Sequence, residues 1–326
     1  MKVAVLGAGA WGTALALLLH RGGHSVVLWG HDPVHLEEMS RSGGNARYLP
    51  GVAVPREWRF EPDLLQAVEQ AELVVVAVPS QAMRTVAGAI SAYRGLLVTV
   101  TKGIDFETGF TMGGVLAATL PGARVAALSG PTLALEIAKG IPAAIVAASV
   151  DPSVAQRVQQ AFHSPLFRVY TSPDPVGVEM GGALKNVVAI AAGVGDGFGF
   201  GDNSKAALLT RGIVEIRRLG VASGAQAETF AGLSGLGDLT VTCFSRLSRN
   251  RSMGERLGRG EKLDGILLTS KSVAEGYPTA KSAYQLARRL GVRTPIIDEV
   301  HAVLYEGKPV GKALQDLITR ESKAED

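Results

Sequence analysis

Six residues near the start of the chain restrict its fold more than any others: Gly7-Ala8-Gly9-Ala10-Trp11-Gly12. An apolar strand-like run at 2–6 precedes them, and a helical pattern follows at 13–21. A strand feeding a helix through G-x-G-x-x-G opens a βαβ unit that carries a dinucleotide; without that context the pattern marks only a packing turn. Gly7 permits the tight turn, Gly9 lets the backbone approach a pyrophosphate, and Gly12 lets the helix pack close on the strand. The helix N-terminus favours the anion.

The rest of the first half continues the same alternation. Short apolar runs at 25–29, 73–78, 96–101, 124–129 and 143–148 read as strands. Several are unbroken hydrophobic stretches, as parallel strands covered on both faces require. Helical patterns fall between them, over 33–41 and 80–92 for example. This order predicts an α/β fold, a Rossmann-like doubly wound sheet with right-handed crossovers. After about Tyr170 the pattern changes. Thr171-Ser172-Pro173-Asp174-Pro175 reads as a turn, and helical spacing without further strands runs through 176–194, 204–219, 277–290, 295–305 and 311–319. The Gly-, Ser- and charge-rich segments 195–203 and 245–252 read as separators, and 321–326 as a frayed end. A chain of 326 residues accommodates two domains. The expected division is a dinucleotide-binding domain over 1–172 and an all-helical, substrate-binding C-terminal domain over 173–326.

Charge and cysteine usage exclude other classes. Lys and Arg number 33 against 30 Asp and Glu, too slight an excess for a nucleic-acid partner or an anionic membrane. A single cysteine, Cys243, cannot form an internal disulfide, which fits a reducing cytoplasm. Thr242 and Phe244 supply it with no base, so it reads as a buried structural thiol. The uncharged stretch 3–19 superficially resembles a signal peptide. Three glycines interrupt it, however, and no A-x-A-like cleavage site follows His20-Arg21-Gly22-Gly23. The other long apolar stretch, 176–194, contains Glu179 and Lys185, so no stable membrane insertion is expected.

Candidate site residues cluster where ligands of open α/β sheets sit, beyond the carboxyl ends of the strands. At the second strand, Gly30-His31-Asp32 places no acid at the first position. His31 can meet a 2′-phosphate, while Asp32 can meet a ribose hydroxyl or simply cap the helix starting at Pro33. Both NAD and NADP stay open. Pro79-Ser80, Lys102-Gly103 and Gly130-Pro131-Thr132 follow later strands, and Lys102 suits an anionic or carbonyl substrate. Lys185-Asn186 stands inside an apolar helix just after Gly181-Gly182. An ammonium there either snorkels outward or faces a polar site, because burial without a partner is costly. A partly desolvated lysine beside a carboxylate can serve as general acid/base. Gly235-Leu236-Gly237-Asp238 offers such a carboxylate. Ser248-Arg249-Asn250-Arg251 offers the hydroxyl, guanidinium and amide that grip a phosphate, with a solvated basic loop as the plainer alternative.

Together with Thr101-Lys102-Gly103, Ser129-Gly130-Pro131-Thr132, Gly182-Ala183-Leu184-Lys185-Asn186 and Glu275-Gly276-Tyr277, these motifs resemble, in order and over nearly the whole chain, the soluble bacterial-type NAD(P)-dependent glycerol-3-phosphate dehydrogenases. The resemblance implies interconversion of sn-glycerol 3-phosphate and dihydroxyacetone phosphate, supplying the former to phospholipid synthesis. It implies Lys185 as catalytic acid/base, with Lys102, Gly130, Thr132, Asp238, Ser248, Arg249 and Asn250 lining the substrate. It places Gly7, Gly9, Ala10, Trp11, Gly12, His31, Lys102, Ala134, Arg249, Val273 and Glu275 against NADP or NAD. A small phosphorylated three-carbon substrate, a homodimer and no metal complete the expectation. β-Hydroxyacid dehydrogenases and ketopantoate-type reductases share the general plan but bind carboxylates, so the 248–251 run separates them. A nucleotide-sugar dehydrogenase would need Cys243 as nucleophile. A non-catalytic NAD(P) sensor has no use for Lys185, Asp238 and Arg249 together.

Overall fold

The six apolar runs and two further strands form one eight-stranded sheet in the computed structural model, which describes residues 1–269 and 274–321. The strands are β1 (Lys2–Leu6), β2 (Ser25–Trp29), β5 (Arg59–Glu61), β6 (Leu73–Val76), β7 (Leu96–Thr99), β8 (Arg124–Ser129), β9 (Ala143–Ala148) and β10 (Phe167–Ser172). A separate hairpin joins β3 (Gly44–Asn45) to β4 (Leu49–Ala53). Sheet order is β10-β9-β8-β7-β6-β1-β2-β5. The chain order reverses between β1 and β6, which opens a crevice beyond their carboxyl ends. Within β1 the two-residue period divides the burial. Val3 and Val5 join the apolar layer that includes Leu15 and Leu19, while Ala4 and Leu6 join the layer that includes Met83 and Leu116.

Two features depart from a uniformly parallel sheet. β8 and β9 pair antiparallel, so β9 and β10 run opposite to the rest, and β10 itself is a strand the residue pattern did not announce. Ser129 pairs with Val146, so β9 begins at the end where β8 stops. The intervening segment, with its short helix Ala134–Ala138, therefore stays at the carboxyl end of the sheet instead of crossing a face. Gly130, Thr132 and Ala134 are kept beside the crevice by that topology.

From Pro175 onward every element among the described residues is a helix, with Pro175–Gly197 at the centre. Pro175 occupies the first turn, and Asp174 caps it by accepting from the amide of Gly177 (2.8 Å). Asp174 also accepts from the Gln226 amide and the Thr229 hydroxyl, tying down the next chain segment. This helix is long and apolar enough to cross a membrane, yet 89% of its apolar window is buried inside the fold. Glu179, one of its three charges, accepts from the Gly113 amide (2.7 Å) and the Thr111 hydroxyl (2.8 Å) at the start of helix Met112–Thr119. Burial pushes its pKa up to about 7, against the pull of those donors.

The segment 245–252 is only partly a separator: Ser248 caps a helix, Arg249–Gly258, by accepting from the Arg251 amide. The pattern had concealed this because Met253 and Leu257 are its only large buried apolar residues. The 80–92 pattern resolves into a tight turn, Ser80–Ala82, and a helix, Met83–Ala89.

Candidate functional site

The glycine loop leaves β1 and enters helix Ala10–Arg21 with Gly9 at the cap position. Gly7 has φ +126°, a conformation L side chains avoid, and a Cβ there would lie 2.5 Å from the Ala77 carbonyl oxygen. A Cβ on Gly12 would strike the Gly7 carbonyl oxygen at 1.9 Å, so helix and strand touch directly. At Gly9 a Cβ would meet nothing within 4 Å, and no side chain caps the helix. Open space in front of uncapped amides fits a dinucleotide pyrophosphate. Ala10 and Trp11 start this helix, and Ala134–Ala138 packs against it.

At the tip of β2, Asp32 takes the capping role rather than facing a ribose hydroxyl. Its carboxylate accepts from the amides of Val34 and His35 as the cap of helix Pro33–Ser42, which holds its pKa below the usual carboxylate range. Arg47, from the β3–β4 hairpin, pairs with it at 3.2 Å. Asp32 is thus occupied as a cap, and the tip exposes His31 together with Arg47. No sequence spacing links Arg47 to β2; only the hairpin brings it there.

On the opposite side of the crevice lies a buried charge cluster. Asp238, wholly inaccessible, starts helix Asp238–Phe244 after a π-helical turn, Leu233–Gly237. Its Oδ1 accepts from Lys185 Nζ (2.6 Å) and its Oδ2 from Lys102 Nζ (2.5 Å). Lys185 also donates to the Thr242 hydroxyl, one turn along the same helix, a contact the residue pattern did not reveal. Lys102 donates in addition to the Gly130 carbonyl, as does the Thr132 hydroxyl. Lys185 therefore does not snorkel. Burial drives its pKa down to about 8, with Lys102 adding to the shift and Asp238 opposing it. Two ammonium groups around one carboxylate leave net positive charge facing the crevice. Gly182 allows the close approach, because a Cβ there would meet Ser129 Oγ at 2.4 Å. That hydroxyl is buried and has no hydrogen-bond partner among the described residues.

A second line of contacts runs from Asn186 to the dinucleotide side. Asn250 Nδ2 donates to Asn186 Oδ1 and its Oδ1 accepts from the Gly276 amide, each at 2.9 Å. The adjacent Glu275 accepts from the Ser80 amide (3.2 Å) and hydroxyl (2.6 Å) beyond β6. Arg249 heads its helix beside these groups. Its side chain is solvent-accessible but crowded by protein, which lowers its pKa against the opposing field of Glu275, as for a group lining a cleft. No hydrogen bond or close ion pair engages it among the described residues. Lys102, Gly130, Thr132, Lys185 and Asp238 are thus in direct contact, and Asn250, Glu275 and Arg249 adjoin them. Ser248 spends its hydroxyl on its own helix, His31 stands apart at the β2 tip, and Val273 lies outside the described residues. Cys243 is buried, its pKa pushed up to about 12 by desolvation, which leaves the thiol inert.

A reversing parallel sheet with a glycine loop, facing an aspartate held between two lysines, defines a nicotinamide-nucleotide-dependent oxidoreductase. Models of the N-terminus and the C-terminus of NAD-dependent glycerol-3-phosphate dehydrogenase match residues 2–155 and 174–315. The chain belongs to that family. It is 49% identical, over 100% of its length and 99% of the relative's, to the glycerol-3-phosphate dehydrogenase [NAD(P)+] of Chlorobium limicola. That of Geobacter sulfurreducens is also 49% identical, over 99% of this chain and 98% of the relative. The crystal structure of glycerol-3-phosphate dehydrogenase from Coxiella burnetii superposes with a TM-score of 0.95 at 36% identity, covering 98% of this chain and 99% of that one.

Proposed function

We propose that the protein interconverts dihydroxyacetone phosphate and sn-glycerol 3-phosphate with NAD(P), and that Lys185 is its acid/base. The observation that carries the assignment is Asp238 held between Lys185 and Lys102, facing the crevice of a glycine-loop sheet. When bound, the reduced nicotinamide nucleotide supplies hydride to the ketone carbon. Lys185 protonates the oxygen on which negative charge develops, Asp238 orients its ammonium, and Lys102 adds positive field. Arg249 grips the phosphate, so that binding remote from the reacting carbon fixes that carbon in place. Ser248, Asn250, Gly130 and Thr132 complete the substrate wall. Gly7, Gly9, Ala10, Trp11 and Gly12 would hold the cofactor together with Ala134 and Glu275, His31 would meet its ribose end, and Val273 is a further contact by the family resemblance alone.

Incubating the protein with NADH or NADPH and dihydroxyacetone phosphate, and following absorbance of the reduced cofactor, tests this reading. Rapid oxidation of cofactor dependent on the phosphorylated ketone supports it, and none with either nucleotide refutes it. The fold-level division at 172/173, a homodimer, and a cytoplasmic role feeding phospholipid synthesis belong to the same proposal. The helical change at Pro175 supports the division, and the single cysteine supports a reducing compartment.

Cofactor choice gives a further expected result. With Asp32 engaged as a cap, no free acid repels a 2′-phosphate, and both NADH and NADPH should support turnover. Exposed ion pairs contribute roughly 0.2–1 kcal/mol, so His31→Ala and Arg47→Ala should each lower the ratio of NADPH to NADH efficiency by about 1.4- to fivefold. Ratios unchanged in both variants would remove these residues from the cofactor site.

A further inference from the structure

Arg251 ends the basic run 248–251, yet it is turned away from the cleft. It follows Arg249 by two positions, about 200° round a helix of 3.6 residues per turn. Its Nε lies 2.6 Å from Asp196 Oδ2, in an ion pair without hydrogen-bond alignment, and its Nη1 lies 3.3 Å from Glu255. Asp196 belongs to the helix that carries Lys185, and its other oxygen lies 2.6 Å from Lys205 of helix Asp202–Ala222. All three of these side chains are 12% exposed, so the charges are little screened by solvent.

The two helices touch backbone to backbone along the same line. A Cβ on Gly254 would lie 1.9 Å from the Ile190 carbonyl oxygen, and one on Gly193 would lie 2.0 Å from that of Arg251. Backbone cannot rotate aside as a side chain can. The glycines therefore set how closely the helices approach, and the Arg251–Asp196 pair holds them at that distance. At the other end of the crossing, Asn250 meets Asn186, next to Lys185.

We propose that Arg251 is a positioning residue that fixes the separation between Lys185 and Arg249, and thereby the length between carbonyl and phosphate that a substrate must have. The inference rests on the functional reading above, in which Lys185 serves the carbonyl and Arg249 the phosphate. Releasing Arg251 lets helix Arg249–Gly258 shift, and misplacement by about 1 Å costs about 100-fold in a positioned reaction. Only substrates held at both ends feel that loss. A ketone lacking phosphate does not use Arg249 and is indifferent to where it lies.

The test compares Arg251→Met and Arg251→Lys in the full chain, reducing dihydroxyacetone phosphate and unphosphorylated dihydroxyacetone with NADPH. For Arg251→Met, kcat/KM for the phosphorylated ketone should fall about 100-fold, while that for dihydroxyacetone and the Kd for NADPH stay within about threefold. Arg251→Lys, which keeps the charge on Asp196, should recover about tenfold of the loss. Equal losses on both ketones, or no loss on either, would overturn the proposal, since a merely structural role lowers both together. If Arg251→Met does not fold, Asp196→Asn removes the carboxylate that holds Arg251 without changing side-chain size and is read by the same two ketones. Gly88→Ala, in a helix where a Cβ meets nothing within 4 Å, should match wild type. Wild type must itself prefer the phosphorylated ketone, and Arg249→Lys must weaken that preference; if either fails, the functional reading falls. If both hold but Arg251→Met retains the full preference, the positioning role alone falls.

Discussion

Lys185→Ala should lower kcat for dihydroxyacetone phosphate reduction by about 10²–10⁴-fold, the usual contribution of a positioned general acid. Cofactor affinity should be spared, because the glycine loop lies on the sheet and Lys185 on the central helix. The variant is also expected to fold. Removing one partner of a buried ion pair is damaging when it strands a charge, but Asp238 keeps its contact with Lys102. kcat measured beside NADPH affinity by fluorescence, on protein shown to be folded, checks both statements. Turnover within about threefold of wild type, a barrier change below roughly 1 kcal/mol, would remove Lys185 from the chemistry.

Arg249→Lys should be far from conservative. A guanidinium presents a planar fork to a phosphate, whereas an ammonium is a point charge on a shorter reach. Losing one charge-assisted hydrogen bond costs roughly 1.5–3 kcal/mol, which is about 10- to 150-fold. The loss should fall mainly on kcat/KM for the phosphorylated ketone, because no other contact engages Arg249 among the described residues. A variant that reduces this substrate as well as wild type would place the phosphate elsewhere.

Much of this arrangement is legible in the residues because several physical demands agree. The strand, glycine loop and helix at 2–21 satisfy turn chemistry, periodicity and anion binding together. Lys185 stands out because an ammonium in an apolar helix demands a partner, and the structure supplies Asp238 and Thr242. The partner was harder to read. Asp238 is 53 residues from Lys185 and 136 from Lys102, and no spacing encodes contacts formed by tertiary packing. Helix Arg249–Gly258 was obscured by the features that serve it: Gly254 and Gly258 weaken helical propensity, yet they permit backbone contact with Ile190 and Val194. The reversed direction of β9 was also hidden, because an apolar run carries no mark of parallel or antiparallel pairing. Glu179 was a charge without an evident role, and its donors, Thr111 and the Gly113 amide, come from another part of the chain.

As acid/base, Lys185 gives up its proton in reduction and takes one in oxidation, so a pH profile measured in both directions tests its role. Burial brings the Lys185 pKa from 10.5 down to about 8, within reach of ordinary buffers. A general acid must enter protonated and a general base deprotonated. For ketone reduction, kcat/KM should therefore fall as pH rises through about 8. For oxidation of glycerol 3-phosphate it should rise through the same region, and Lys185→Ala should lose this limb in both directions. Profiles that move in the same direction for both reactions, or a limb that survives in Lys185→Ala, would contradict the assignment.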